Sequence, residues 1–257
     1  MLPTLTPLSR GPLAPLLERV LLPHQASAEV VPARTLFTPA GLDKVLARHG
    51  AAYVQANRRP PERRSPDRRA VMSQWSKYFL SQAIYVPVAA NLLLDRRLPL
   101  NLETLGVALD AEGLVTELVI PDEGEGIGGA ADGESRLRPL FDALLSPTIA
   151  AMAAHTGIAP RALWSNAGHY YAYLIGQLEA LPDRPAGVAE GARLMTLRVF
   201  GDGARNPLHR PIREVVDAAG EPRRVRRVCC VRYRLPELGY CGNCPLPAAL
   251  AERSEEA

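Results

Sequence analysis

Residues 229–245 read CCVRYRLPELGYCGNCP and hold all four cysteines of the 257-residue chain. Cys229 and Cys230 are adjacent, ten residues separate them from Cys241, and Cys244 closes a Cys-Gly-Asn-Cys motif. Disulfide scaffolds spread their cysteines over the fold. The clustering therefore predicts a metal or redox site at this place in the chain.

The spacing bears on which metal the four thiols would hold. Iron–sulfur clusters and structural zinc both use four thiolates, but zinc ribbons usually present two Cys-x-x-Cys knuckles to one ion. Neighbouring side chains of an extended chain point to opposite faces, so Cys229 and Cys230 need a bent backbone to share a site. A cluster wider than one ion tolerates this arrangement more easily. The spacing favours iron–sulfur and leaves zinc and a redox thiol pair open; thiol–disulfide motifs usually begin a helix, and we expect no helix after Cys244.

Arginines flank the cysteines on both sides. An anionic cluster would be stabilised by nearby guanidinium groups, which would also raise its reduction potential. The same charges could dock an acidic electron donor, or they could simply form a solvated face of a hairpin. The residues to which we assign tuning or docking are Arg226, Arg227, Arg232 and Arg234.

Outward from this segment, hydrophobic periodicity defines a helix-rich body. Apolar residues recur at helical spacing over 39–57, 70–94, 137–152, 163–178 and 189–200, with Pro87 expected to kink or break the second of these helices. Residues 107–120 and 210–231 have the pattern of two β-hairpins. The expected fold is α+β and predominantly helical, with residues 1–200 as the body and 201–257 as a cysteine-bearing hairpin region.

Composition excludes several classes of protein. A net charge of +3 over 257 residues does not indicate a nucleic-acid partner. No apolar stretch approaches the roughly 18 residues of a membrane span, and four prolines between residues 2 and 22 interrupt any secretion signal. We expect a cytoplasmic protein.

Three further motifs accompany the cysteines, and together they resemble one protein family. The motifs are Leu163-Trp164-Ser165-Asn166, Asn206-Pro207-Leu208 and Arg232-Tyr233-Arg234-Leu235-Pro236. With the Cys-Cys-x10-Cys-x-x-Cys spacing, they resemble the FhuF-type ferric-siderophore reductases over residues 161–246.

The resemblance implies a cofactor, a substrate and a set of site residues. It implies a [2Fe-2S] cluster on Cys229, Cys230, Cys241 and Cys244, with no catalytic residue beyond the cluster. It further implies one-electron reduction of iron(III) held by a hydroxamate-type siderophore, after import, with electrons from an external donor and peripheral contact with the siderophore importer at the inner face of the membrane. The candidate substrate contacts are Trp164, Asn166, His169 and Trp75, with the loops 57–69 and 121–135 as a candidate siderophore-binding region.

Two alternatives belong to other functional classes. Zinc on the four cysteines could fold a basic hairpin that binds nucleic acid or protein without redox activity. The second alternative is a protein that binds or synthesises siderophores. The four cysteines would have no role in such a protein.

Overall fold

A computed structural model describes residues 2–10, 13–26, 29–56, 65–128, 131–217 and 220–255. The predicted loop 57–69 therefore lies largely outside the described residues. The helices of this part of the chain are α1 (Ala14–Leu17), α2 (Ala33–Leu36), α3 (Pro39–Ala56), α4 (Arg68–Leu94), α5 (Gly133–Leu140), α6 (Ser146–Thr156), α7 (Pro160–Glu179), α8 (Ala186–Leu194) and α9 (Pro247–Glu255).

Helix α4 is the central element of the body. The Asp67 side chain caps its first turn by accepting a hydrogen bond from the Arg69 N–H, and the helix ends at Asp95, which adopts a left-handed conformation. Nineteen of its residues are buried, because helices pack against several of its sides. A kink or a break was expected at Pro87, and the helix continues through it to Leu94 without a break. Neighbouring helices hold this segment helical despite the missing N–H.

The remaining helices of the body pack around α4. A π-helical turn, Phe141–Leu145, joins α5 directly to α6, and α7 makes the most extensive packing with α4. Helix α8 approaches α4 closely at Gly187, where a Cβ atom would lie only 2.6 Å from the Leu92 carbonyl oxygen. The helix pattern expected from periodicity is confirmed for each of these segments, although the predicted helix over 189–200 begins earlier and ends at Leu194.

A small sheet covers one side of α4. Its strand order is β1 (Val20–Leu21), β5 (Val115–Val119), β4 (Gly106–Leu109) and β2 (Val30–Pro32). Strands β4 and β5 form the predicted hairpin, whereas β1 lies parallel to β5 and was not predicted. Strands β3 (Arg96–Arg97) and β6 (Glu125–Gly126) form a second, two-stranded sheet, so the predicted loop 121–135 is partly ordered.

The C-terminal region contains the second predicted hairpin. Strand β7 (Ile212–Val216) pairs antiparallel with β8 (Pro222–Arg226), and the cysteine segment follows β8 directly. Helix α9 begins at Pro247, so the expectation of no helix after Cys244 is wrong. Two residues lie between the end of the Cys-Gly-Asn-Cys motif and the start of α9. The α+β, helix-rich fold class is confirmed, and no helix within the described ranges is long and apolar enough to cross a membrane.

Candidate metal centre

The four cysteine thiols converge in the folded segment after β8. Cys230, Cys241 and Cys244 are buried and Cys229 is half-buried. The Cys230 and Cys241 Sγ atoms lie 3.7 Å apart, close to the separation of about 3.8 Å that two thiolates have on one tetrahedral ion with bonds of about 2.3 Å. Cys229 in turn is hydrogen-bonded to the Cys244 thiol. The thiols thus form two pairs, which fits the two irons of a [2Fe-2S] cluster.

The backbone bends at the adjacent cysteines, as their spacing requires. Val231 has φ of 55°, in the left-handed region, and its N–H donates to the Cys229 Sγ at 3.3 Å. A β-branched residue rarely adopts this conformation. The Cys-Gly-Asn-Cys motif forms a turn in which the Cys244 N–H donates to the Cys241 carbonyl at 3.0 Å. Among the described residues, no group of three or more His, Cys, Asp or Glu side chains is arranged to hold one metal ion.

The thiols differ in acidity because Cys230 and Cys241 share a proton. Their hydrogen bond lowers the pKa of Cys230 to about 5 and raises that of Cys241. Lys77 and Arg226 add to the lowering at Cys230. Burial raises the pKa of Cys229 to about 11. Cys230 is therefore the thiol that ionises most readily.

Lys77 lies near the thiols and was not identified by the sequence analysis. It lies on α4 one turn after Ser73, whose hydroxyl donates to the Cys230 carbonyl at 2.6 Å. Its Nζ donates to the Gln74 Oε1 at 2.8 Å. Burial lowers the pKa of Lys77, while the field of the Cys230 thiolate opposes that shift. Lys77 is the one charged residue between positions 70 and 94, and this was the available signal.

Arg226 is buried beneath the cysteines and connects them to the body. Its guanidinium donates to the Asn166 Oδ1 at 2.6 Å and to the Ser165 carbonyl at 3.3 Å. The Asn166 amide donates onward to the Ser73 carbonyl at 3.0 Å. Because Arg226 is only 3% exposed, it cannot dock a partner protein. Its position supports the predicted contribution to the charge around the thiols.

Two predicted substrate contacts are in the interior. Asn166 is fully buried in the hydrogen bonds just described, and Trp75 is fully buried with its indole N–H donating to the Gly113 carbonyl at 2.7 Å. Neither side chain reaches a surface, which corrects their assignment as substrate contacts. The sequence motif placed Asn166 near the cysteines but did not reveal which way it faces.

The other two predicted contacts line two separate cavities. His169 and Arg224 line a cavity of about 320 Å³ that reaches Asn243, the neighbour of Cys244. Burial lowers the pKa of His169 to about 4, so its neutral Nδ1 accepts a hydrogen bond from the Asn243 amide at 3.1 Å. Trp164 is half-buried and lines a separate cavity of about 220 Å³ with Arg227.

The remaining predicted arginines have different partners. Arg227 is exposed and lies 3.5 Å from His209. Arg232 donates to the Leu238 carbonyl at 2.8 Å and so closes the loop between the cysteine pairs. Arg234 forms an ion pair with Asp67 at 2.7 Å, which joins this loop to the start of α4. Of these three, Arg227 is exposed and is held by the longest contacts, so it best fits a docking role.

Comparisons with known proteins agree with this geometry. Residues 73–220 match the family described as "Ferric iron reductase FhuF-like transporter", and residues 226–246 match the "FhuF 2Fe-2S C-terminal domain". A curated Escherichia coli protein called "Ferric siderophore reductase" is 23% identical over 180 residues, which cover 70% of this chain and 67% of that protein. The second match decides between the metals left open by the spacing, in favour of a [2Fe-2S] cluster and against zinc.

Proposed function

This chain belongs to the FhuF-like ferric iron reductase family, and we propose that it is a cytoplasmic ferric-siderophore reductase. The observation that carries the proposal is the convergence of four thiols in two pairs within the segment that matches the 2Fe-2S domain. The body, residues 1–200, would hold the substrate and residues 201–257 would hold the cluster.

Each pair of thiols is assigned to one iron. Cys230 and Cys241 would bind one iron, and Cys229 and Cys244 the other. A [2Fe-2S] cluster bound there supplies single electrons, each taken from an external donor and passed to the siderophore iron(III). Cys229, which is half-buried, would be the ligand most accessible to solvent.

The chain's own charges favour the acceptance of an electron at this site. Lys77 and Arg226 lie on the protein side of the thiols, where water cannot fully screen them. Positive charge in this position stabilises the more anionic reduced state and raises its potential. Arg227 remains on the surface as a contact for an acidic donor protein.

The substrate is proposed to be a hydroxamate-type ferric siderophore. Hydroxamate oxygens are hard donors that bind iron(III) far more strongly than the softer iron(II). One-electron reduction is therefore a means of releasing iron after import. Peripheral contact with the siderophore importer would bring the substrate to the protein.

Anaerobic purification followed by visible absorption, iron and sulfide analysis, and EPR after dithionite reduction tests this function. We expect a reddish-brown protein with two iron and two sulfide per chain, as [2Fe-2S] requires. Addition of a ferric hydroxamate should reoxidise the reduced protein with formation of iron(II). A colourless protein that holds one zinc per chain would overturn the proposal, as would a reduced cluster that a ferric hydroxamate leaves unchanged.

A further inference from the structure

An apolar cavity of about 560 Å³ lies between the N-terminal segment, α4 and α7. Leu13 and Leu16 form one wall, and Tyr85, Leu93 and Leu181 contribute to the others. Its volume is typical of cavities that hold small molecules.

This apolar cavity adjoins the cavity that reaches the cysteine segment. Tyr173 and Gln177, both on α7, line both cavities. Tyr173 is 55% exposed, and its ring centroid lies 6.2 Å from that of Tyr85. The other end of the smaller cavity is formed by Asn243, which precedes Cys244. The two cavities therefore adjoin at Tyr173 and Gln177, and the smaller one reaches the neighbour of a proposed cluster ligand.

The charged residues described in the lining of the two cavities are all basic. The described residues that line them include no aspartate or glutamate, and their charged members are Arg10 and Arg224. His169 adds no charge at neutral pH, because burial holds its pKa at about 4. A cationic ligand would find no counter-charge here, whereas a neutral or anionic ligand would meet polar and aromatic groups.

We propose that the two cavities form one groove, which binds a neutral or anionic ferric siderophore that carries an apolar arm. The iron-bearing head lies in the smaller cavity beside Asn243, and the arm lies in the apolar cavity between α4 and α7. The inference rests on the proposed function for the identity of the ligand as a ferric siderophore. Beyond that function, the inference specifies the charge of the siderophore and the apolar arm for which the groove is selective.

Gallium(III) complexes separate binding from reduction, because gallium(III) resembles iron(III) in charge and size but is not reduced to a divalent ion under these conditions. Three probes are the gallium complex of desferrioxamine B with its free cationic amine, the same complex acetylated at that amine, and the same complex octanoylated there. Their affinities for the cluster-loaded protein are measured by calorimetry. We expect the acetylated complex to bind a few times more tightly than the cation, and the octanoylated complex at least about tenfold more tightly than the acetylated one.

Gly176→Leu places a side chain in the smaller cavity, next to Tyr173 and Gln177, which line both cavities. A Cβ atom at Gly176 meets no other atom within 4 Å, so the substitution should not disturb α7. We expect it to reduce the octanoyl preference to about twofold or less. Ala180→Leu is the control, since it adds the same side chain one turn further along, at an exposed position that lines neither cavity.

Equal affinity for the three complexes would overturn the inference, even if their iron(III) counterparts are reduced, and the proposed function would stand. An octanoyl preference that survives Gly176→Leu would also overturn it, because the arm would then bind elsewhere. The expected preferences without any reduction of the iron(III) complexes would support the groove and contradict the reductase function.

Discussion

The helical body and the cysteine segment are stabilised in different ways. The body buries large side chains against one another, among them Trp75, Phe79 and Tyr171. The cysteine segment has its own small buried cluster, made of Cys230, Cys241, Cys244 and Ala249. At about 25 cal/mol for each Å² of buried apolar surface, the body can stabilise itself, whereas so small a cluster cannot. The segment therefore depends on ligation, on its hydrogen bonds to the body and on the packing of Leu235 into the core of the body.

The largest effect should come from removing one ligand. We expect Cys241→Ser to abolish the visible absorption of the cluster and to increase hydrogen exchange over residues 226–246, while the helical circular dichroism changes little. Gly242→Ser is the control, because a Cβ atom there has no close neighbour; it should keep the colour. Loss of helical signal with the colour would show that the two regions are not stabilised separately.

Arg226 lies where the two regions meet. Replacing it by methionine leaves the Asn166 Oδ1 without its buried donor, which should lower the free energy of unfolding by about 3 kcal/mol. Arg227→Met, at the next and exposed position, should change it by less than about 0.5 kcal/mol. Denaturant unfolding of both variants measures the difference. Similar values for the two would mean that the buried hydrogen bonds contribute little to joining the regions.

The body should respond to pH through His49. Burial lowers the pKa of His49 to about 4, against about 6.5 in the unfolded chain. The unfolded state therefore binds more protons between these two pH values. The contribution of His49 to stability is complete above pH 6.5 and is lost as the pH falls towards 4. We expect a loss of about 2 kcal/mol by pH 4.5, measured by denaturant titration. His49→Gln should remove this loss and leave the similar contribution of His169, whose pKa burial also lowers to about 4. Exposed His24→Gln should change neither contribution, and an unchanged slope in His49→Gln would contradict the assignment.

Lys77 gives the smallest expected effect, on the electronic properties of the segment. Lys77→Met removes a positive charge next to the thiols and should lower the midpoint potential by roughly 50 mV, with the cluster content unchanged. Lys44→Met, on the exposed face of α3, removes the same charge far from the site and should leave the potential within about 10 mV. Equal potentials in the two variants would exclude a role for Lys77 in tuning.

Sequence patterns predicted the parts of the fold that are long and periodic. The period of 3.6 residues located α3, α4 and α7, and the alternation of apolar residues located β4 and β5. Strands β1 and β2 have two and three residues, which is too short for a periodic signal. A kink or a break at Pro87 was predicted from local preference, and tertiary packing prevents the break.

The four cysteines could be identified from the sequence because their spacing is itself the signal. The residues around them could not be assigned in the same way. Asn166 and Arg226 lie in motifs near the site, but only the fold shows that they bind each other in the interior. Lys77 is more than 150 residues away in sequence and reaches the thiols only because α4 passes beneath them. Such contacts depend on tertiary structure, which local patterns do not encode.

The contacts of Ser73 and Ser165 with the cysteine segment also have a consequence for the order of events during synthesis. Their hydroxyls bind the carbonyl oxygens of Cys230 and Val228, so the surface that receives the segment belongs to helices made earlier in translation. Because a chain folds from its N-terminal side as it is made, α4 and α7 can be in place before the last cysteine leaves the ribosome. The cluster can then be inserted on a platform that is already folded.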